Sequence, residues 1–388
     1  DLLYAFRQLR RNLGFTLTAV LMLALCIGAS AAIFAFVDAA LIRPLPYPNP
    51  STLVDVGESA QLFPRSNLSY QDYLDWKRLN NVFSAFDVYT NNAYLLASPT
   101  GAEHVHGAHV TAGFFGTLGV APILGRDFAT GEDQAAAPNT VILSYDAWQR
   151  RFAGRKDIIG QSVTLSGIPN TIIGVLPQAF AFAPIGQPEF WVTFHTLGGC
   201  EKRRSCHNLF GIARLKPGVT VAMAHAEMQA IALQLERQYP DSNRDQSAFV
   251  QPLHELIVGH IRPILLTLLA GAALLLLIAC VNVSSLLLVR AESRRREVAV
   301  RGALGASPSR LIRQFITEGL VLVAAGTLLG LATAYTAIQL LLHLISKDMM
   351  RDMPFLLGLS LNLHILTFVG IVALLGAAIF SLTPILRL

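Results

Sequence analysis

Four long apolar runs constrain this chain more than any other feature. A bilayer crossing takes about 20 predominantly apolar residues, and Phe15–Val37, Ile264–Val289, Gly319–Ile345 and Leu363–Leu386 each reach that length. The first holds no charged residue. The third is interrupted only by Gln339 and His343 near its end, and the fourth has His364 at its mouth and Pro384 near its exit. Residues 38–263, between the first two runs, have an ordinary soluble composition. Over the whole chain 53% of residues are hydrophobic and only 14% charged, where a soluble protein carries about 25% charged. So few charges cannot cover a water-exposed surface. A soluble cytosolic enzyme is excluded, and so are a disordered chain and a fibrous repeat.

The first run follows Arg7, Arg10 and Arg11 and contains Ala29–Ser30–Ala31, features of a cleaved signal peptide. A signal core is only about 7–15 residues long, so a retained anchor is expected instead. Lys and Arg in short loops set orientation. The N-terminal flank holds three arginines, and the loop between the second and third runs holds Arg290, Arg294, Arg295, Arg296, Arg301, Arg310 and Arg313. Both are therefore expected in the cytoplasm, with residues 43–262 outside. That region carries nearly balanced charge: from 38 to 262 there are 17 Lys/Arg against 19 Asp/Glu. The net +5 of the whole chain thus comes from its cytoplasmic pieces, and nucleic acid is not needed as a partner to explain it.

The outer segment alternates strand and helix patterns. Thr52–Val56, His104–Val110, Thr140–Leu143, Leu209–Leu215 and Ala248–Leu253 read as strands. Ser69 reads as the N-cap of a helix through Asp72, Tyr73, Trp76 and Leu79, and Val219–Tyr239 as a long amphipathic helix. Ser166–Gly167 marks a hairpin turn between Gln161–Leu165 and Thr171–Val175. Cys26 and Cys280 fall inside apolar runs, where a thiol acts as a small apolar group. Cys200 and Cys206 lie in the outer segment. An oxidising compartment favours their pairing, worth about 2 kcal/mol for so short a loop; two free thiols are the alternative.

Catalytic signatures are missing. No Lys follows a Gly, so there is no phosphate-binding Walker loop, nor is there a Gly-x-Ser-x-Gly elbow. His254–Glu255 lacks the second histidine of a zinc site. His104 and His106 share one strand face while His109 points to the other, so no metal is expected there. Asp38 and Glu318 stand at run edges and are expected to be solvated at the interface. With no charge deeper inside, a proton-coupled carrier is disfavoured. Small residues four apart, Ala24–Gly28–Ala32 and Gly326–Gly330–Ala334, suit close helix packing, without saying which helices meet.

The cytoplasmic loop carries the most information. Ser293–Ala306 reads as a short amphipathic helix broken by glycine, with Glu297 and Arg301 in the favourable i,i+4 order. Ser307 and Pro308 then start a second helix. From Arg294 to Ala306 the loop resembles the MacB/FtsX family of ABC-transporter permeases, whose pattern is Arg-x-x-Glu-Ile-x-x-Arg-x-Ala-x-Gly-Ala; here Val298 stands for the Ile. Similar likenesses are Phe6–Asn12, His109–Val120, Leu143–Phe152 and Ala279–Val283, and Ser69–Trp76 is particularly like the duplicated orphan permeases of that family.

The resemblance implies an α-helical membrane protein of the bacterial inner membrane. It has four transmembrane helices, with an α+β periplasmic domain inserted between helices 1 and 2. A membrane-proximal, porter-like part (51–112 and 205–258) and an inserted distal part (113–200) are implied, with a cytoplasmic N-terminal helix (1–14) and a coupling loop (290–317). It also implies a non-enzymatic subunit without its own cofactor, working with a separate ABC ATPase that holds the ATP. That ATPase would dock on Arg294, Arg296, Glu297, Arg301, Leu304 and Gly305. Further implied partners are a second copy or the second half of a duplicated permease, membrane lipid and a periplasmic adaptor. By that reading the chain is one half of such a permease or a fragment. The alternative is a membrane-anchored sensor whose outer domain binds a ligand and signals through the arginine loop.

Overall fold

The computed structural model describes residues 7–10, 12–61, 63–98, 101–195, 199–293, 308–345, 353, 356 and 359–385. The chain divides into two compact units, one holding the long helices and the other built on Pro44–Gly259.

The first unit contains four helices long and apolar enough to cross a membrane: span 1 (Leu13–Ile42), span 2 (Arg262–Val289), span 3 (Ile316–Leu344) and span 4 (Leu363–Phe380). Span 1 is apolar all round and central, with 56% of its most apolar stretch buried against 17% for span 2. A helix with no polar face must be surrounded by protein or lipid. Span 1 is longer than the run Phe15–Val37 because Asp38–Ile42 continues it as a π-helical turn, closed by Arg43 N–H donating to the Asp38 carbonyl at 2.8 Å.

In the second unit the described strands form one sheet. They are β1 (Leu53–Ala60), β2 (Phe63–Ser66), β3 (Leu68–Ser69), β4 (Phe83–Ser98), β5 (Gly101–Val110), β6 (Leu124–Gly125), β7 (Thr140–Leu143), β8 (Ser162–Leu165), β9 (Ile168–Val175), β10 (Phe190–Thr193), β11 (His207–Leu215) and β12 (Gln246–Pro252). The main path runs β12-β1-β11-β4-β5-β10-β7-β9-β6. The four helices that matter below are α1 (Tyr70–Leu79), α2 (Phe114–Leu118), α3 (Tyr145–Phe152) and α4 (Val221–Gln238). Ser69, Ser144 and Thr220 each cap a helix by accepting a backbone N–H three residues on. Ser166 and Gly167 both adopt positive φ, 50° and 82°, the twist a two-residue hairpin turn requires.

Among the described residues, two of the domain's apolar clusters share the long strands. The first joins Val54, Val56, Trp76, Phe86, Val88 and Leu209 to the buried face of α4, including Met228 and Leu235. The second packs Val141, Trp148, Ile172 and Phe190 around Tyr94, Leu96 and Val105. Those last three belong to the long β4–β5 hairpin, which pairs from Tyr89↔Val110 to Ser98↔Gly101. This hairpin is therefore shared between the two clusters, β4 giving Phe86 and Val88 to the first and Tyr94 and Leu96 to the second. Strands as long as these reach from one core into the other, which short sequence windows do not reveal.

Candidate functional site

Span 1 is the natural starting point, because its last turn leads straight into the outer domain at Pro44. Gly28, Gly326 and Gly330 sit where spans 1 and 3 come closest. A methyl at Gly28 would overlap Thr333 Oγ1 and lie 3.0 Å from the Gly330 carbonyl oxygen. One at Gly330 would lie 3.0 Å from Ile27 Cγ2, and one at Gly326 would lie 2.7 Å from Leu23 Cβ. Thr333 Oγ1 donates to the Ala24 carbonyl at 3.2 Å across the same seam. Ala32 is buried in the bundle core. The small residues thus let two backbones meet, and the helices that meet are 1 and 3.

Asp38 and Glu318 are not solvated. Each is about as buried as the bundle's apolar core, at 0% and 2% exposure. The Asp38 carboxylate accepts from Arg43 Nε at 2.9 Å and from Asn362 Nδ2 at 2.7 Å, and meets His364 Nδ1 at 2.8 Å. A buried carboxylate survives only with such compensation. Two of its three partners are the polar residues at the mouth of span 4. Asn362 standing directly before an apolar run was the available signal, since asparagine suits an N-cap.

In the outer domain the Ser69–Trp76 motif builds a second buried-charge site. Asp72, fully buried at the start of α1, accepts from Ser69 Oγ at 2.6 Å, Asn243 Nδ2 at 2.8 Å and Arg204 Nη1 at 2.5 Å. Arg204 also donates to Asp75 at 2.7 Å and lies over the Tyr239 ring at 3.9 Å. It belongs to the short loop closed by the disulfide Cys200–Cys206, whose Cα atoms are 5.3 Å apart. Gln71 Nε2 donates to the Glu201 carbonyl in that loop. The loop is therefore clasped onto α1 by its charge and by its backbone. Beside it, His207 Nδ1 pairs with buried Glu58 at 2.6 Å; this partner raises the imidazole's pKa, while burial raises that of Glu58.

Asp87 gathers residues of the His109–Val120 segment around another buried carboxylate. It accepts from Thr111 Oγ1 at 2.8 Å and Thr117 Oγ1 at 2.5 Å, and Lys77 approaches it at 3.3 Å. A Cβ on Gly113 would come within 2.7 Å of the same carboxylate, so only glycine admits it here.

His104 and His106 are exposed on β5, and His109 lies half-buried on the other face against Tyr94 and Phe194. Burial, with His195 nearby, lowers the His109 pKa from 6.5 to about 4. Its unfolded value is higher, so its contribution to stability is present above pH 6.5 and is lost as pH falls towards 4. At pH 5 this loss is about 2 kcal/mol. All three tryptophans (Trp76, Trp148 and Trp191) lie in the outer domain, so their fluorescence follows its unfolding in the intact chain. The expected result is that His109→Phe reduces the drop in urea midpoint between pH 7.5 and pH 5. An unchanged drop would count against a buried neutral histidine.

The expected docking residues Arg294, Arg296, Glu297, Arg301, Leu304 and Gly305 lie outside the described residues. Within the helical unit, span 1 is tied to spans 3 and 4; within the outer domain, the Asp72 and Asp87 carboxylates are buried and held by directional bonds.

Residues 16–231 match the family described as the MacB-like periplasmic core domain, and residues 269–388 the FtsX-like permease C-terminal region. Among curated proteins, a macrolide export ATP-binding/permease protein MacB 1 of Yersinia pestis bv. Antiqua (strain Antiqua) is 25% identical over 228 residues, covering 57% of this chain and 33% of that protein. The MacB of Agrobacterium fabrum is 26% identical over 243 residues, covering 62% and 36%. The chain thus spans about a third of the length of the curated relatives it matches. Among solved structures, the periplasmic region of MacB from Actinobacillus actinomycetemcomitans aligns with a TM-score of 0.41 at 13% identity, covering 55% of this chain and 94% of that one. The extracellular domain of the ABC-type transporter YknZ from Gram-positive bacteria aligns with a TM-score of 0.37 at 13% identity, covering 51% and 99%.

Proposed function

Because this chain belongs to the family of MacB-like permeases with an FtsX-like C-terminal region, we propose that it is a permease subunit coupling ATP hydrolysis by a separate ABC ATPase to movements of its outer domain. The role is of export or efflux type, in the bacterial inner membrane. The N-terminus, the arginine loop and the C-terminus face the cytoplasm, and the outer domain faces the periplasm. A second copy or a second permease half completes the membrane part.

The observation that carries this reading is the order of the two matched regions on one chain. The periplasmic core match covers most of span 1 and most of the outer domain, and the permease match covers most of span 2 with spans 3 and 4. The relatives' names join ATP binding and permease, and residues 1–388 hold no Gly–Lys phosphate loop. We place the ATP chemistry on a separate partner as part of this proposal. The bundle's buried charge supports a transmission role over a proton relay, because the Asp38 carboxylate accepts from both Arg43 and Asn362.

The test is purification of the full chain from its native membrane. An ABC ATPase is expected to co-purify, and the chain alone to hydrolyse no ATP; recovery of a kinase or regulator in its place would favour the sensor reading. Single cysteines at positions 150 and 300 check the topology. In intact spheroplasts the first is expected to react with an impermeant thiol reagent and the second to be protected. The opposite pattern would reverse the orientation.

A further inference from the structure

Asp38 lies in the last turn of span 1, four residues before Ile42, and its carboxylate has no access to solvent. Ionisable residues in membrane helices are rare and mark function, and π-helical turns inside helices concentrate at functional sites. Here the two coincide. The π turn brings Arg43 back over Asp38, with its backbone N–H on the Asp38 carbonyl and its Nε on the carboxylate. Asn362 works at both ends of its amide. Its Oδ1 accepts the Ile365 N–H at 2.9 Å, capping span 4, while its Nδ2 donates to Asp38 at 2.7 Å. His364 adds a third partner at 2.8 Å, and the negative charge sits favourably at the N-terminus of span 4. One turn deeper, the rings of Phe34 and Phe368 stack at 4.1 Å, 4° from parallel.

Apolar helices in lipid have no hydrophobic drive to stay in register, so directional bonds fix it. A slip of one residue between spans 1 and 4 would take Asn362 and His364 from the buried Asp38 carboxylate and leave it Arg43 alone. We propose that Asp38 is a latch joining the last turn of span 1 to the first turn of span 4, so that the two ends move as one piece where span 1 enters the outer domain. Asp38 is thus a positioning residue for the transmission described above, and this role rests on the permease reading.

The experiment uses the full chain in lipid nanodiscs, alone and with the co-purifying ATPase. Asp38→Ala is expected to insert normally and to retain the ATPase. Amide exchange at Ile365 and Leu366 should rise at least tenfold, and the ATP-dependent change in outer-domain exchange should be lost. Asp38→Asn, which keeps the shape and one acceptor, is expected to fall between. In a double variant, Asp38→Cys with His364→Cys, a short bis-methanethiosulfonate bridge should restore both readouts without restoring the charge. Unchanged exchange in Asp38→Ala overturns the latch. Raised exchange with an intact ATP response overturns its part in transmission, as does a closed bridge that restores nothing. If no ATPase binds the unmodified chain, the permease reading fails, and the exchange arm alone decides whether the latch exists.

Discussion

Charge reversal at Arg301 is expected to weaken ATPase binding by about 2–5 kcal/mol, the penalty for removing one member of a desolvated charge pair. Arg301 follows Glu297 by four residues in the arginine loop. If it served only the loop's own helix, the exposed pair would be worth about 0.3–0.5 kcal/mol, and neither folding nor docking would change measurably. These magnitudes separate a docking residue from a topology residue. Co-purification and stimulated hydrolysis should both fall for Arg301→Glu, and Arg310→Glu supplies the comparison. If both variants insert and couple normally, the loop is a positive-inside signal and nothing more.

Removing Arg204 is the second large effect. Asp72 is buried and shares its carboxylate among Ser69, Asn243 and Arg204. Truncation of one partner of a buried ion pair leaves the other charge uncompensated and costs about 3–5 kcal/mol. Arg204→Ala should therefore destabilise the outer domain by about that much, seen as a lower urea midpoint in tryptophan fluorescence of the intact chain. Joint replacement, Asp72→Asn with Arg204→Met, should cost less than Arg204→Ala alone, because no buried charge is left behind. Cys200→Ser should cost about 2 kcal/mol, the entropy of the short closed loop, and both thiols should resist alkylation until reductant is added. An Arg204→Ala protein as stable as the parent would show that the loop is not clasped onto α1.

The spans and the α+β character of the outer domain were legible because both rest on local signals. Run length, charge bias, the Ser69 cap and the Ser166–Gly167 turn each sit within a few residues of what they determine. The buried charges were not legible, because their partners are remote in sequence. Asp38 meets Asn362, and Asp72 meets Arg204 and Asn243, only after the chain has folded. An aspartate at the edge of an apolar run looks solvated until a second helix arrives to cover it. The same limit applied to Gly28 and Gly330, whose spacing announced close packing without naming the partner helix. The reach of β4 and β5 into the second core was missed for a related reason: alternation along a strand reports which face is buried, not which core buries it.

The most direct measurement is hydrogen exchange across Pro44–Gly259 in the lipid-reconstituted complex with its ATPase, compared between nucleotide-free, ATP-bound and turning-over states. If the chain transmits movement from the ATPase to its outer domain, exchange in that domain should differ between states, and Arg301→Glu should abolish the difference. Identical outer-domain exchange in every state, while the bound ATPase hydrolyses ATP, would contradict the account.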